Sequence, residues 1–161
     1  METFQVAQQV GEALLSKGWM LACAESCTGG GIAAAVTDIA GSSQWFDRGF
    51  VTYTNQAKQD MLGVGGETLD REGAVSETTV KEMVAGALLR SQAQIAVAVS
   101  GIAGPGGGTI DKPVGMVCFA WQLKGKEPVL CTEYFNGDRA SVRAQTVHNA
   151  LLGLLNVLDS H

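Results

Sequence analysis

Hydrophobic positions near the start of the chain recur at helical spacing. This spacing predicts a first helix over residues 3–17, ended by Gly18, with an apolar face formed by Val6, Val10, Ala13 and Leu14. An uninterrupted apolar run over residues 20–24 then indicates a buried strand. Small apolar residues resume after a polar, glycine-rich turn and predict a second helix over residues 29–38, capped by Thr28.

The middle of the chain alternates between strand and helix signals. Aromatic and β-branched residues predict a strand over residues 49–54, and a short helix follows over residues 55–62. Residues 63–75 are rich in glycine and polar side chains, which is typical of a connection. Ser76 caps the next predicted helix, and the apolar run at residues 95–99 predicts another strand.

The last third of the chain opens with a long glycine-rich loop over residues 100–115. Residues 116–121 and 129–135 predict a pair of strands joined by a turn at residues 124–126. Asp138 begins the last helix, whose apolar stripe contains Val147, Leu151, Leu154 and Leu158.

The order of these elements predicts the α/β class. Alternation in the first half indicates parallel strands joined by crossover helices, and the later strand pair indicates an antiparallel part. We therefore expect a single three-layer domain over residues 1–161, with a mixed β-sheet between helical layers.

Composition narrows the classes of function. Hydrophobic residues make up 46% of the chain and charged residues 17%, which excludes a disordered protein. The net charge of −5 disfavours nucleic acid as a partner, because that binding needs a basic face. No apolar run reaches the length of about 18 residues that spans a membrane, so we expect no membrane partner. The first residues lack the features of a signal peptide, which predicts a cytoplasmic protein.

The four cysteines show no metal-binding pattern. They contain no C-x-x-C pair, and the chain has only two histidines, so we expect no metal site. Three of the cysteines, Cys23, Cys118 and Cys131, lie in apolar runs where cysteine acts as a small hydrophobe.

The stretch LACAESCTGGGIAAA, residues 21–35, combines polar side chains with a turn from strand to helix. Such a turn exposes a side chain at the edge of the sheet, and it directs free backbone N–H groups toward a ligand. Ser26 is therefore a candidate nucleophile, with the N–H groups stabilising an oxyanion. The segment is not a G-x-S-x-G elbow, and Ser26 and Thr28 serving only as helix caps is the alternative.

A serine nucleophile needs a base. His161 is at the C-terminus and His148 lies well inside the last helix, so Lys58 is the better candidate if burial lowers its pKa. Tyr53, at the end of the preceding predicted strand, would lie near it. The alternatives are a solvated lysine and a tyrosine that only packs.

Two further features are typical of ligand binding. Glycines in the 100–115 loop would let the backbone approach a ligand closely, although the loop fits no standard phosphate motif. Arg139 and Arg143 share one face at the start of the last helix, an arrangement suited to a phosphate monoester. Solvated arginines that pair with acids such as Asp138 are the alternative.

Taken together, the motifs resemble the CinA C-terminal domain family. The resemblance covers about residues 5–155, through AESCTGG, GSSQWFDRGFVTYTNQAK, LGV, GAVSE, AVSGIAGPGGG, KPVG and GDR in that order. It implies a compact α/β domain that forms homo-oligomers and hydrolyses the carboxamide of nicotinamide mononucleotide, giving nicotinate mononucleotide and ammonia in pyridine-nucleotide recycling. Longer members carry an N-terminal domain with a linked pyrophosphatase activity, which we do not transfer to this chain.

The resemblance also implies roles for individual residues. Ser26 becomes the nucleophile, Lys58 its base and Tyr53 a helper, with no cofactor or metal required. The N–H groups of Thr28, Gly29 and Gly30 are the candidates for the oxyanion hole. The expected substrate-binding residues are Ser100, Gly101, Gly104, Gly106, Gly107, Arg139 and Arg143.

Two other functions stay open at this point. The same loop and arginines would suit a non-catalytic nucleotide-binding module that holds its ligand without cleaving it. A thiol enzyme acting through Cys27 is also chemically possible, but that cysteine has no evident partner base.

Overall fold

The computed structural model describes all residues, 1–161. Six α-helices and five strands follow one another along the chain, together with a single 3₁₀ turn. In chain order they are α1 (Thr3–Lys17), β1 (Leu21–Glu25), α2 (Gly31–Thr37), the 3₁₀ turn (Ser42–Gln44), β2 (Phe46–Val51), α3 (Asn55–Leu62), α4 (Gly66–Glu72), α5 (Glu77–Leu89), β3 (Ile95–Gly101), β4 (Met116–Leu123), β5 (Val129–Tyr134) and α6 (Arg139–Asp159).

The strands form one mixed sheet in the order β2-β1-β3-β4-β5. The central strand β1 runs parallel to both β2 and β3, whereas β4 is antiparallel to β3 and to β5. The predicted mixed sheet is therefore confirmed, including its antiparallel part.

Helices cover both faces of this sheet, which confirms the three-layer α/β fold. Alternate residues of each strand point to opposite faces, so Cys23 packs in one apolar core and its neighbour Ala24 in the other. The first core contains side chains of α1, α2 and α6, and the second contains side chains of α5 and of the segment before it. None of the helices combines the length and the apolar character needed to cross a membrane.

Three predicted boundaries are wrong. The expected connection at residues 63–75 contains α4, which buries only Thr68 and Leu69 and so shows no apolar stripe in the sequence. Strand β2 lies at Phe46–Val51 instead of residues 49–54, because an edge strand with little burial lacks a clear hydrophobic pattern. Helix α2 begins at Gly31, with Gly30 at its N-cap, and the Thr28 side chain does not cap it.

The topology brings three strand ends together. β1, β2 and β3 are parallel neighbours, so their carboxyl ends meet at one edge of the sheet. The chain continues from β1 to β2 on one side and later enters β3 on the other side. In open α/β sheets, such a reversal of strand order leaves a crevice at the carboxyl ends, which is the usual place for a ligand.

Candidate active site

Ser26 is the first residue after β1 and lies in this crevice. Its backbone N–H donates to Val99 O of the neighbouring strand at 3.2 Å, which fixes the serine at the end of the sheet. The residue is 7% exposed, and its hydroxyl caps no helix. Oγ instead accepts a hydrogen bond from Lys58 Nζ at 3.0 Å.

Lys58 reaches Ser26 from helix α3 on the opposite side of the crevice. The residue is fully buried, and Nζ also donates to the backbone oxygens of Thr52 at 2.8 Å and Tyr53 at 3.2 Å. It forms no salt bridge. Burial lowers the pKa of the Lys58 ammonium below its ordinary value of 10.5, because desolvation penalises the charged form.

The three partners of Nζ suit an amine that acts as a base. Two of them are carbonyl oxygens, which can only accept, so they retain two N–H groups when the lysine is neutral. The remaining lone pair then faces the third partner, the Ser26 hydroxyl, which can donate its proton. A lysine and a serine that are far apart in the chain thus lie within hydrogen-bond distance, in an arrangement that suits a base and its nucleophile.

The turn after Ser26 is fixed by the carboxylate of Glu25. This side chain is fully buried and accepts hydrogen bonds from the N–H groups of Ile32 and Ala33, at 2.8 and 3.0 Å. It also accepts from the Thr28 hydroxyl at 2.5 Å. Glu25 therefore caps helix α2 from the strand side, in the position that sequence analysis assigned to Thr28.

The backbone of the turn leaves several N–H groups free. Thr28 and Gly30, two of the predicted oxyanion donors, have no acceptor within the protein. The third, Gly29, already donates to Ser26 O at 3.1 Å. Gly29 and Gly30 have φ angles of 57° and 104°, a left-handed conformation that favours glycine and explains the glycine run.

Cys27 lies beside Ser26 but is poorly suited to act as a nucleophile. Burial raises the pKa of its thiol to about 11, although the nearby charges of Arg143 and Lys58 act in the opposite direction. The thiolate is the reactive form, so this cysteine is essentially unreactive at neutral pH.

The crevice in front of Ser26 is a cleft of about 170 Å³. Ser26, Lys58 and Cys27 form its floor, and the end of β3 contributes Ser100 and Gly101. The remaining lining residues are Tyr53, Ala74, Val75, Ala103 and Arg139. Ala74 and Val75 lie in the segment after α4. This segment was not predicted to be part of the site.

Tyr53 and Arg139 lie together at the mouth of this cleft. The tyrosine is 60% exposed, and its hydroxyl accepts from Arg139 Nη2 at 3.2 Å and has no contact with Ser26 or Lys58. Arg139 Nη1 donates to Gly104 O at 2.8 Å. The 100–115 loop lines the cleft through Ser100, Gly101 and Ala103. Gly104 accepts a hydrogen bond from Arg139 but does not line the cleft, and neither do Gly106 and Gly107, which are exposed.

Arg143 does not join Arg139 at the cleft. Its Nε donates to Cys27 O at 3.0 Å and its Nη2 to Thr28 O at 3.1 Å, so it holds the turn that carries Ser26. It is absent from the cleft lining. The expected pair of phosphate-binding arginines thus separates into one residue at the mouth and one behind the turn.

One known protein family matches almost the whole chain. The CinA C-terminal domain family matches residues 3–158. The chain belongs to the CinA C-terminal domain family. The resemblance seen in the sequence motifs is confirmed.

Several relatives match most of the chain. Among them are proteins from several bacteria that are named nicotinamide-nucleotide amidohydrolase PncC. The protein from Enterobacter agglomerans is 55% identical over 141 residues, 88% of this chain and 86% of its own length. The one from Escherichia coli (strain K12) is 53% identical over 150 residues, 93% of this chain and 91% of its own length.

A solved structure of the same family has the same fold. The competence/damage inducible protein CihA from Agrobacterium tumefaciens superimposes with a TM-score of 0.93 and 49% identity, covering 98% of this chain and 95% of its own. The family model and the solved structure agree that the fold extends over nearly the whole chain.

Two residues that position the site of this CinA domain, Glu25 and Thr52, were not predicted. An acidic residue inside an otherwise apolar strand, directly before a helix, was the available signal for Glu25. Thr52 acts through its backbone oxygen, which no sequence pattern reveals. No three histidine, cysteine or acidic side chains lie close enough together to hold a metal ion.

Proposed function

We propose that this protein hydrolyses the carboxamide of nicotinamide mononucleotide, a small-molecule nucleotide, to nicotinate mononucleotide and ammonia. The observation that carries the proposal is the 3.0 Å contact between Lys58 Nζ and Ser26 Oγ at the base of the cleft. The relatives named nicotinamide-nucleotide amidohydrolase support the choice of substrate.

The first step forms an ester. Neutral Lys58 takes the proton of the Ser26 hydroxyl, and Oγ bonds to the carboxamide carbon. The carbonyl oxygen becomes an oxyanion that accepts from free N–H groups of the turn, among them Thr28. The pyridinium ring of the nucleotide withdraws electrons from this carbon and favours the attack.

The second half releases both products. Lys58 returns its proton to the amide nitrogen, the C–N bond breaks and ammonia leaves. Water then attacks the ester carbon, giving a proton to Lys58, and the C–O bond to Ser26 breaks as Oγ recovers that proton. The enzyme returns to its starting state, and the atoms balance without a co-reactant.

The cleft positions only the reacting end of the nucleotide. Its volume of about 170 Å³ is below the range of about 300–1,000 Å³ that encloses a drug-sized ligand. We assign the nicotinamide ring to this cleft and the ribose phosphate to its mouth. Arg139 is there with a guanidinium that binds phosphate in a fork-shaped geometry, and Tyr53 lies beside it.

The test is a product assay with purified protein. We expect ammonia and nicotinate mononucleotide in equal amounts from nicotinamide mononucleotide, with much slower release from nicotinamide riboside and from free nicotinamide. The Ser26→Ala protein, with an unchanged circular dichroism spectrum, is the control. Binding of the nucleotide without ammonia release would instead identify a non-catalytic nucleotide-binding module.

A further inference from the structure

Arg143 is the one arginine that holds the backbone of the Ser26 turn. Its Nε and Nη2 donate to two successive carbonyl oxygens, those of Cys27 and Thr28, at 3.0 and 3.1 Å. It forms no salt bridge, so its charge is not neutralised by an acidic partner. A Cβ added at Gly29 would lie 3.5 Å from its Nη2, which shows how closely the guanidinium approaches the turn.

This contact determines the orientation of a peptide group. A trans peptide is planar, and its C=O and N–H point in opposite directions. The peptide between Cys27 and Thr28 directs its oxygen to Arg143, and its Thr28 N–H therefore points away from the arginine. That N–H has no acceptor in the protein.

The next peptide is fixed at both ends as well. Thr28 O accepts from Arg143 and from Gly31 N, while Gly29 N donates to Ser26 O. A turn held in this way cannot rotate the Thr28 N–H without breaking hydrogen bonds to Arg143.

We propose that Arg143 is a positioning residue that orients the Thr28 N–H toward the oxyanion formed when Ser26 attacks its substrate. The inference rests on the proposed function for the identity of the reaction. It replaces phosphate binding as the role of this arginine and leaves Arg139 as the cation at the cleft mouth. Removing an oxyanion donor lowers kcat by about 10²–10³-fold, and we expect a loss near the lower end for misorientation.

The first test does not depend on the nucleotide. A fluorophosphonate probe reacts with an activated serine through a transition state with developing charge on oxygen, and intact mass measures its rate. We expect labelling of the wild-type protein, none of Ser26→Ala, and about 10²-fold slower labelling of Arg143→Ala. Free guanidinium, far below denaturing concentrations, restores part of the Arg143→Ala rate.

Two arginine variants serve as matched controls. Arg48→Ala removes another arginine-to-carbonyl hydrogen bond, to Arg90 O, outside the cleft, and we expect wild-type labelling without an effect of guanidinium. Arg143→Lys keeps the charge but has one donor nitrogen in place of the two that contact the turn, and we expect a rate between those of the wild type and Arg143→Ala. It also tests the proposal if Arg143→Ala does not fold.

The second test separates positioning from phosphate binding. With nicotinamide mononucleotide, Arg143→Ala should lower kcat and leave KM and inhibition by ribose 5-phosphate near their wild-type values. Wild-type labelling of a folded Arg143→Ala protein overturns the proposal, and so does weaker ribose 5-phosphate inhibition with unchanged kcat. If the wild type is labelled at Ser26 but releases no ammonia from the nucleotide, the proposed function fails while the labelling series still tests Arg143.

Discussion

Lys58 is fully buried beside Ser26 and has no acidic partner. This burial affects which protonation state of the residue is populated. An ammonium group in the interior lacks the water that would stabilise it, and two carbonyl oxygens only partly replace that water. The loss of hydration destabilises the protonated form, so the neutral amine is more populated at neutral pH than in a solvated lysine.

The pH profile follows from this shift. In the proposed mechanism the active form has neutral Lys58, so kcat/KM for ammonia release should rise with pH through an apparent pKa below 10.5. The same group affects stability: between its folded and unfolded pKa values the unfolded chain binds more protons, so the free energy of unfolding rises with pH. The Lys58→Met protein should lack this rise in chemical denaturation at several pH values.

Replacing Lys58 by arginine tests whether it acts as a base. The guanidinium keeps the positive charge but does not deprotonate near neutral pH, so Lys58→Arg should be nearly inactive although folded. Wild-type turnover in this variant, measured as ammonia release, would mean that position 58 supplies only charge.

Among the secondary-structure elements, the contact between the end of β1 and the start of α2 determines the position of the Ser26 turn. The buried carboxylate of Glu25 accepts from Ile32 N, Ala33 N and the Thr28 hydroxyl. These hydrogen bonds hold the start of the helix, and with it the turn, in one position relative to the sheet.

Glu25→Gln should therefore destabilise the protein. The amide places an NH₂ group where an N–H donor requires an acceptor, and each buried donor left unsatisfied costs about 1–3 kcal/mol. Urea denaturation measures the difference. Glu127→Gln, at an exposed carboxylate without hydrogen bonds, is the matched control and should stay within about 0.5 kcal/mol of the wild type. Equal stability of the two variants would contradict this role of Glu25.

Sequence patterns predicted elements where burial is one-sided or complete. The apolar β1 and β3 and the long stripe of α6 were found because their side chains pack in the core. Helix α4 was missed because its exposed surface leaves no stripe, and β2 was displaced because an edge strand is weakly patterned. For the site, the sequence predicted Ser26 and Lys58 as candidate reactive residues, and the fold brings the two side chains into contact. The contacts of Arg143 and Thr52 involve backbone oxygens, whose positions depend on the folded path of the chain.

In the whole molecule, the cleft lies where three parallel strands end and where α6 begins. The N-terminal turn of α6 carries Arg139 to the mouth of the cleft, beside Tyr53 from the segment between β2 and α3. The two residues are far apart in the chain, so the fold alone creates this polar entrance.

Arg139→Ala should weaken recognition of the nucleotide. A charge-assisted hydrogen bond contributes about 1.5–3 kcal/mol, so KM for nicotinamide mononucleotide should rise about tenfold to a hundredfold with a smaller change in kcat. The comparison is kcat/KM for the nucleotide and for nicotinamide riboside. An equal loss on both substrates would mean that Arg139 maintains the loop through Gly104 and does not bind phosphate.

Ser26, which accepts a hydrogen bond from Lys58, is the proposed nucleophile of an amidohydrolase. The most direct measurement is kcat/KM for ammonia release from nicotinamide mononucleotide by the wild type, Ser26→Ala and Cys27→Ala. We predict that Ser26→Ala falls by about 10³-fold or more. Cys27→Ala should keep most of the activity because burial keeps its thiol protonated, with a pKa of about 11. A severe loss in Cys27→Ala together with a mild one in Ser26→Ala would contradict the account.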